Sequence, residues 1–201
     1  MFAGKTDELQ RYVRRFLAAK QRFHIFTYSC DTCCGVKTIA THDGNRLVAD
    51  AVHSGEDILR RVDDITRIVI IDEAQFFQPD IVDAIRELSA RDVHVIMAGL
   101  DMDHIGNPFG SMPQLMAVAD NVYKLKAICT VCGNEAARTI RISPLSRQES
   151  PENEALVGGS DIYEARCANH IVECYGESSD QSLYEQNIVD AQETPEGKRY
   201  C

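Results

Sequence analysis

The stretch Arg67–Phe77, R-I-V-I-I-D-E-A-Q-F-F, limits what this chain can fold into more than any other. Ile68, Val69, Ile70 and Ile71 are an unbroken β-branched run. A strand buried on both faces needs such a run, and strands of that kind belong to parallel sheets covered by helices. Asp72 and Glu73 follow at the carboxyl end of the strand, where open α/β sheets bind their ligands. In a P-loop enzyme an acid at this place serves Mg²⁺. In an unrelated sheet the same pair merely ends a strand at the surface.

The N-terminus favours the first reading. Met1–Thr6 reads M-F-A-G-K-T, the closing part of the P-loop pattern G-x-x-x-x-G-K-[ST]. Gly4 lets the backbone approach phosphates, and the N–H groups of the following helix end bind the anion. Lys5 reaches the β- and γ-phosphates, and the Thr6 hydroxyl binds Mg²⁺. G-K-T alone recurs by chance at helix starts, but beside the strand ending in Asp72-Glu73 it points to ATP with Mg²⁺. The opening glycine of the motif and the strand before it are missing, so the expectation is a shortened N-terminus rather than a sheet that has lost its central strand.

Around these two signals the chain alternates helices and strands. A helix is expected over 7–20, where Leu9, Val13 and Phe16 recur at helical spacing opposite Arg11, Arg14 and Arg15. Strands are expected over 23–28 and 47–52, with 29–44 irregular. Ser54 should cap a helix over 56–62, and Pro79 suits the first turn of a helix reaching about 90. A further buried strand is expected over 93–98, a Gly/Pro loop over 106–113, a short helix over 114–119 and a last strand over 122–128. This order implies a largely parallel, right-handed α/β sheet of P-loop (RecA-like) type.

Composition narrows the function. A formal net charge of −10 opposes a long nucleic-acid groove, which relies on Lys and Arg. No apolar run suits a membrane span, and the charged amphipathic start is unlike a signal peptide. Eight cysteines without a sign of secretion suggest metal ligands or free thiols in a cytoplasmic protein.

From Cys129 the texture changes to short β-like pieces. Cys129-Thr-Val-Cys132 and Cys167-Ala-Asn-His170 give C-x₂-C and C-x₂-H, the four ligands of a closed tetrahedral Zn²⁺ site. Four protein ligands leave no open position, so the zinc is expected to be structural. Closing the interval between the pairs would hold 143–163 as an anchored lasso. Cys30 and Cys33 also stand as C-x-x-C, but no βαβ redox unit surrounds them, and they read as loop thiols. The expected organisation is a nucleotide-binding domain over 1–128, a zinc lasso domain over 129–175 and an acidic, disordered tail over 176–201.

Taken together the chain resembles the type II thymidine kinases, the tetrameric zinc-containing deoxynucleoside kinases. The resemblance is carried by M-F-A-G-K-T, T-H-D-G at Thr41–Gly44, I-D-E-A-Q-F-F, A-G-L-D-M-D with N-P-F-G at Ala98–Gly110, K-L-K-A-I-C-T-V-C-G at Lys124–Gly133, R-T-I-R at Arg138–Arg141 and Y-E-A-R-C at Tyr163–Cys167. It implies a kinase that moves the γ-phosphate of ATP to the 5′-OH of thymidine, in the cytoplasm, as a homotetramer, without nucleic acid or membrane. It also implies roles. Met1, Phe2, Ala3, Gly4, Lys5 and Thr6 form the phosphate loop, with Met1 also near the base. Asp31, Asp72, Ala74 and Gln75 join the ATP–Mg²⁺ site. Glu73 is the general base toward the 5′-OH. Phe76, His104, Thr139, Glu154, Ala155, Leu156, Val157, Gly158 and Tyr163 enclose the nucleoside, while Cys129, Cys132, Cys167 and His170 hold zinc.

Three departures stand in the site itself. Asp31-Thr32-Cys33 replaces the family's D-x-R, His104-Ile105 replaces Phe-Arg, and the phosphate loop lacks its opening. They support an alternative, a catalytically weak nucleoside- or nucleotide-binding relative. D-E-A-Q also occurs in helicase-type ATPases, but the chain is too short for two motor lobes. A redox protein using Cys30 and Cys33 has even less to support it.

Overall fold

The computed structural model describes residues 2–29, 36–40, 46–142 and 162–171, with side chains undescribed at 36–40, 46 and 47. The expected buried strand is β4, Ile68–Asp72, and every residue in it is buried. It pairs in parallel with β1 (Phe23–Tyr28) on one side and β5 (His94–Met97) on the other. β3 (Arg46–Val52) adds a fourth parallel strand beside β1, and β2 (Val36–Ala40) closes that edge antiparallel. The sheet order is β2-β3-β1-β4-β5.

The period of two along the strands divides the core into two layers. Ile25, Ile68 and Ile70 face α1 (Lys5–Ala18), which buries Leu9 and Val13 against them. Phe26, Val69 and Ile71 face the other way, toward α2 (Gly55–Arg61), α3 (Asp80–Ala90) and α4 (Met112–Val118). Both faces are covered, which is why β4 tolerates no polar residue before Asp72. The Ser54 cap forms as expected: its hydroxyl accepts from the Asp57 N–H at 3.1 Å. Gly55 donates to Asp80 at 2.8 Å, and a Cβ there would stand 2.7 Å from that of Ala84, so α2 and α3 meet at a glycine.

Four expectations need correction. The stretch 29–44 is not wholly irregular, because Val36–Ala40 pairs with β3 over five residues. The strand at 93–98 is half-buried rather than buried, because it lies at the edge of the sheet. α4 begins at Met112, with Pro113 in its first turn where a missing N–H does no harm. The strand expected over 122–128 does not join the sheet: only Ala127–Ile128 (β6) is extended and paired, and its partner is β7 (Glu135–Ala136).

β6 and β7 begin a small second lobe, completed by the antiparallel pair β8 (Arg138–Arg141) and β9 (Tyr163–Arg166) and a 3-10 turn over Ala168–His170. Its core is minor: Ala127, Cys129, Ala136, Ala165 and Cys167. Among the described residues no helix is long and apolar enough to cross a membrane.

Candidate active site and metal centre

Chemistry collects at the carboxyl ends of β4 and β5. Asp72 ends β4 at 3% exposure, and its Oδ1 accepts from the Glu73 N–H at 2.9 Å. Burial, together with the neighbouring Glu73 charge, pushes the Asp72 carboxyl up to about 6, while Lys5 pulls it down. A carboxylate held there at neutral pH favours a cation. Lys5 opens α1 directly after Gly4, whose φ of 73° is the left-handed geometry that glycine adopts without strain. The first N–H groups of α1 have no carbonyl one turn back, the feature by which helix starts attract anions.

Glu73 has a φ of 56°, unusual for a side-chain-bearing residue and costing about 1–3 kcal/mol. The strain is held from all sides. Ala74 donates its N–H to the Ala98 carbonyl at 2.9 Å, locking the turn to β5. Gln75, almost fully buried, donates from Nε2 to the Glu73 carboxylate at 2.6 Å and accepts from the Leu100 N–H at 3.0 Å. Gln75 thus ties the acid to the chain leaving β5. Two glycines make room for it. A Cβ on Gly99 would lie 2.8 Å from the Gln75 amide oxygen, and one on Gly110 would lie 1.9 Å from its backbone oxygen.

Phe76 joins an aromatic group, with its ring 5.8 Å from Tyr28 and 5.6 Å, edge-on, from Phe109. Phe77 is buried, and its carbonyl accepts from the Ser111 hydroxyl at 2.8 Å. Asp103 organises the loop after β5 by accepting from the N–H groups of Ile105, Gly106 and Asn107. This loop carries His104 to within 6.3 Å of the ring of Tyr163 in the second lobe, so the two expected base-side residues are neighbours. Thr139 pairs with Ala165 in the β8–β9 ladder. Met1, Asp31, Cys30, Cys33 and the segment Glu154, Ala155, Leu156, Val157 and Gly158 lie outside the described residues.

Sequence reasoning assigned nothing to Gly99, Gly110, Leu100 or Arg138. The first two stood in A-G-L and N-P-F-G, where a glycine among bulky neighbours signals close approach. Arg138 reaches from β8 to Gly106, where a Cβ would stand 1.8 Å from its Nη1, and that nitrogen is buried with no hydrogen-bond partner among the described residues.

In the second lobe the ligand atoms of Cys129, Cys132, Cys167 and His170 all lie within 4.8 Å of one another. Cys132 and Cys167 sulfurs are 3.6 Å apart, and His170 Nδ1 is 3.1 Å from Cys167 and 3.9 Å from Cys129. Tetrahedral bonds of ~2.0–2.3 Å place such atoms roughly 3.6–3.8 Å apart, so the donor set fits Zn²⁺. Gly133 turns the first pair with a φ of 73°, returning its N–H to the Cys129 carbonyl at 3.0 Å. Burial tends to raise the Cys129 thiol, but N–H groups of Cys167, Cys132 and Val131 outweigh it and hold it near 6, which favours the thiolate a metal needs. Thr130 donates to Glu164 at 2.9 Å and joins the pair to β9.

A parallel sheet covered on both faces, with paired acids at a strand's carboxyl end and a separate Cys/His cluster, defines an α/β protein of the kind that binds its ligand at the strand ends. A family model described as thymidine kinase matches residues 1–171, and the chain belongs to the thymidine kinase family. It is therefore a phosphotransferase of the nucleoside kinase type, and the Cys/His cluster fits the zinc-containing type II branch.

Proposed function

We propose that the protein transfers the γ-phosphate of ATP to the 5′-OH of thymidine, with Glu73 as the general base. The observation that carries this reading is the Glu73 carboxylate, held 2.6 Å from Gln75 beside a buried Asp72. Phosphoryl transfer asks a protein chiefly for positioning and charge. Lys5, Thr6 and the N-terminal turn of α1 hold the phosphates. Asp72 holds Mg²⁺, which when bound neutralises phosphate charge. Glu73 takes the 5′-OH proton as the oxygen attacks the γ-phosphorus and ADP leaves, and the hydrogen bond from Gln75 holds its carboxylate in place. Phe76, His104, Thr139 and Tyr163 bound the nucleoside pocket. Residues 1–128 form the catalytic unit and 129–175 the lobe that closes on substrate. A homotetramer in the cytoplasm is part of the same reading.

The test is transfer of labelled γ-phosphate from Mg-ATP to thymidine, deoxyuridine and deoxycytidine. Thymidine should be the best acceptor, and Glu73→Gln should lower kcat about 10²–10⁴-fold with the melting temperature unchanged. Cys33, standing where an arginine is common, favours the alternative of a catalytically weak nucleoside- or nucleotide-binding relative: thymidine bound but no phosphate transferred to any of the three would establish it.

A further inference from the structure

Gly106, in the loop after β5, and Arg138, on β8, meet where the two lobes touch. A Cβ on Gly106 would stand 1.8 Å from the Arg138 Nη1, 2.7 Å from its Cζ and 3.1 Å from its Nη2, so the guanidinium lies against the bare Cα. Nη1 is buried and has no hydrogen-bond partner among the described residues. A buried charged donor without an acceptor is costly, so the structure on both sides must hold it there. On the loop side, Asp103 accepts from the N–H groups of Ile105, Gly106 and Asn107, and its own N–H donates to the Asn107 carbonyl at 2.9 Å. Met102 bridges to Pro108 across the neck of the same loop. The turn is thus a small closed body with His104 on it. On the lobe side, Arg138 pairs in the ladder with Arg166, one residue before the donor Cys167. Arg166 donates to Glu164 at 2.6 Å, and Glu164 accepts from the Thr130 hydroxyl at 2.9 Å. Thr130 lies between Cys129 and Cys132, and its N–H donates to the Ala165 carbonyl at 3.1 Å. Backbone ladder and side-chain hydrogen bonds therefore run unbroken from the metal donors to β8.

We propose that Arg138 is a positioning residue: its guanidinium, wedged against Gly106, carries the order of the metal lobe into the loop that bears His104. The direction of the effect follows from what stabilises each side. The lobe has a core of three alanines and two cysteines, so a metal on its four donors sets how firmly β8 is held. The loop has its Asp103 bonds, which keep its shape but do not fix where it stands. The wedge supplies that placement, and with it the 6.3 Å spacing between the rings of His104 and Tyr163. Arginine suits the task, because its planar, weakly hydrated head packs against a backbone where the ammonium of a lysine would keep its water. Glycine suits the other side, with a φ of 102° and no side chain in the way. The link stands on geometry alone. Its consequence for substrate rests on the kinase reading, in which His104 and Tyr163 bound the nucleoside.

The test follows amide hydrogen exchange at Ile105, Gly106 and Asn107 by NMR in the 201-residue chain, zinc-loaded and chelated, beside Arg138→Ala in the same two states. With zinc bound, Arg138→Ala should speed exchange at these three N–H groups about 10-fold at unchanged zinc content. Chelation should speed them by a similar factor in the parent and no further in the variant, where the link is already cut. Equal exchange in the zinc-loaded parent and variant overturns the proposal, as does a chelation effect of the same size in both. Should Arg138→Ala fail to hold zinc, Gly106→Ala decides, because it breaks the same contact from outside the lobe. Its loop exchange should then ignore chelation, and a response as large as the parent's overturns the proposal. Affinities for thymidine and Mg-ATP are read separately by calorimetry. Arg138→Ala should bind thymidine about 10-fold more weakly and Mg-ATP equally well. Unchanged thymidine binding, or an equal loss of both, overturns the positioning role. A parent protein that binds no thymidine sinks the kinase reading alone, because loop exchange still decides the link.

Discussion

The two polar centres of this molecule are held by opposite means. At the end of β4, Glu73 is held by Gln75, and Gln75 is tied by a hydrogen bond to Leu100, 25 positions away, on a foundation of fully buried strand. In the second lobe, four donor side chains converge on turns of a few residues, and the apolar core beneath them is three alanines and two of the cysteines themselves. The first centre is rigid because the sheet is stable. The second has little core to stabilise it by burial, and a metal held by the four donors would supply what packing does not.

The largest effect should come from breaking the second centre. Chelation of zinc, or Cys167→Ser, removes an interaction with an apparent strength of ~10 kcal/mol or more in small metal lobes. Amide exchange across 127–142 and 162–171 should rise to nearly unprotected rates, while β1, β3 and β4 keep their protection. Loss of protection throughout the sheet would show the two lobes to be one cooperative unit and would dissolve the contrast.

Asp72 tests the opposite centre through pH. A folded value near 6 against an ordinary 3.8 means that the folded protein binds the proton more tightly than the unfolded chain. The resulting stability is full below about pH 4 and is lost as pH rises through 6. In magnesium-free buffer the ionised carboxylate therefore costs about 3 kcal/mol. Asp72→Asn should accordingly stabilise the nucleotide-free protein by about that amount at pH 8 and by almost nothing at pH 4, in denaturant titrations. A variant no more stable than the parent at pH 8 would show that Lys5 already balances the charge.

Gln75→Ala sharpens the claim that the acid is positioned from β5. It removes one charge-assisted hydrogen bond, worth about 1.5–3 kcal/mol, so kcat should fall roughly 10–100-fold with KM for ATP little changed. A rise in KM with kcat preserved would place Gln75 in binding rather than in orienting Glu73. The smallest effect is the reference: Ser54→Ala loses a helix cap and about 1 kcal/mol of stability, leaving transfer and zinc content as they were.

Much of this was readable from residue order, because the signals were local. A β-branched run followed by acids marks a buried parallel strand and its ligand end, Ser54 three residues before Asp57 marks a cap, and C-x₂-C with C-x₂-H marks a metal set. The edge of the sheet was harder to read. Val36–Ala40 was hidden in a glycine- and cysteine-rich stretch, and it is a strand only because β3 offers it a partner. Val122–Leu125 has the opposite fate: its composition suits a strand, yet no described strand lies beside it.

The sequence by itself determined the acids at the end of β4, the glycine-led start of α1 and the four metal-type donors, since each is a pattern written within a few residues. Only the tertiary structure decided that Gln75 bridges Glu73 to Leu100, that Gly99 and Gly110 must be bare to admit it, and that His104 meets Tyr163. The reason is physical. Propensity and periodicity act along the chain, whereas ladder pairing, close approach and the burial of a hydrogen bond depend on what the rest of the fold brings alongside.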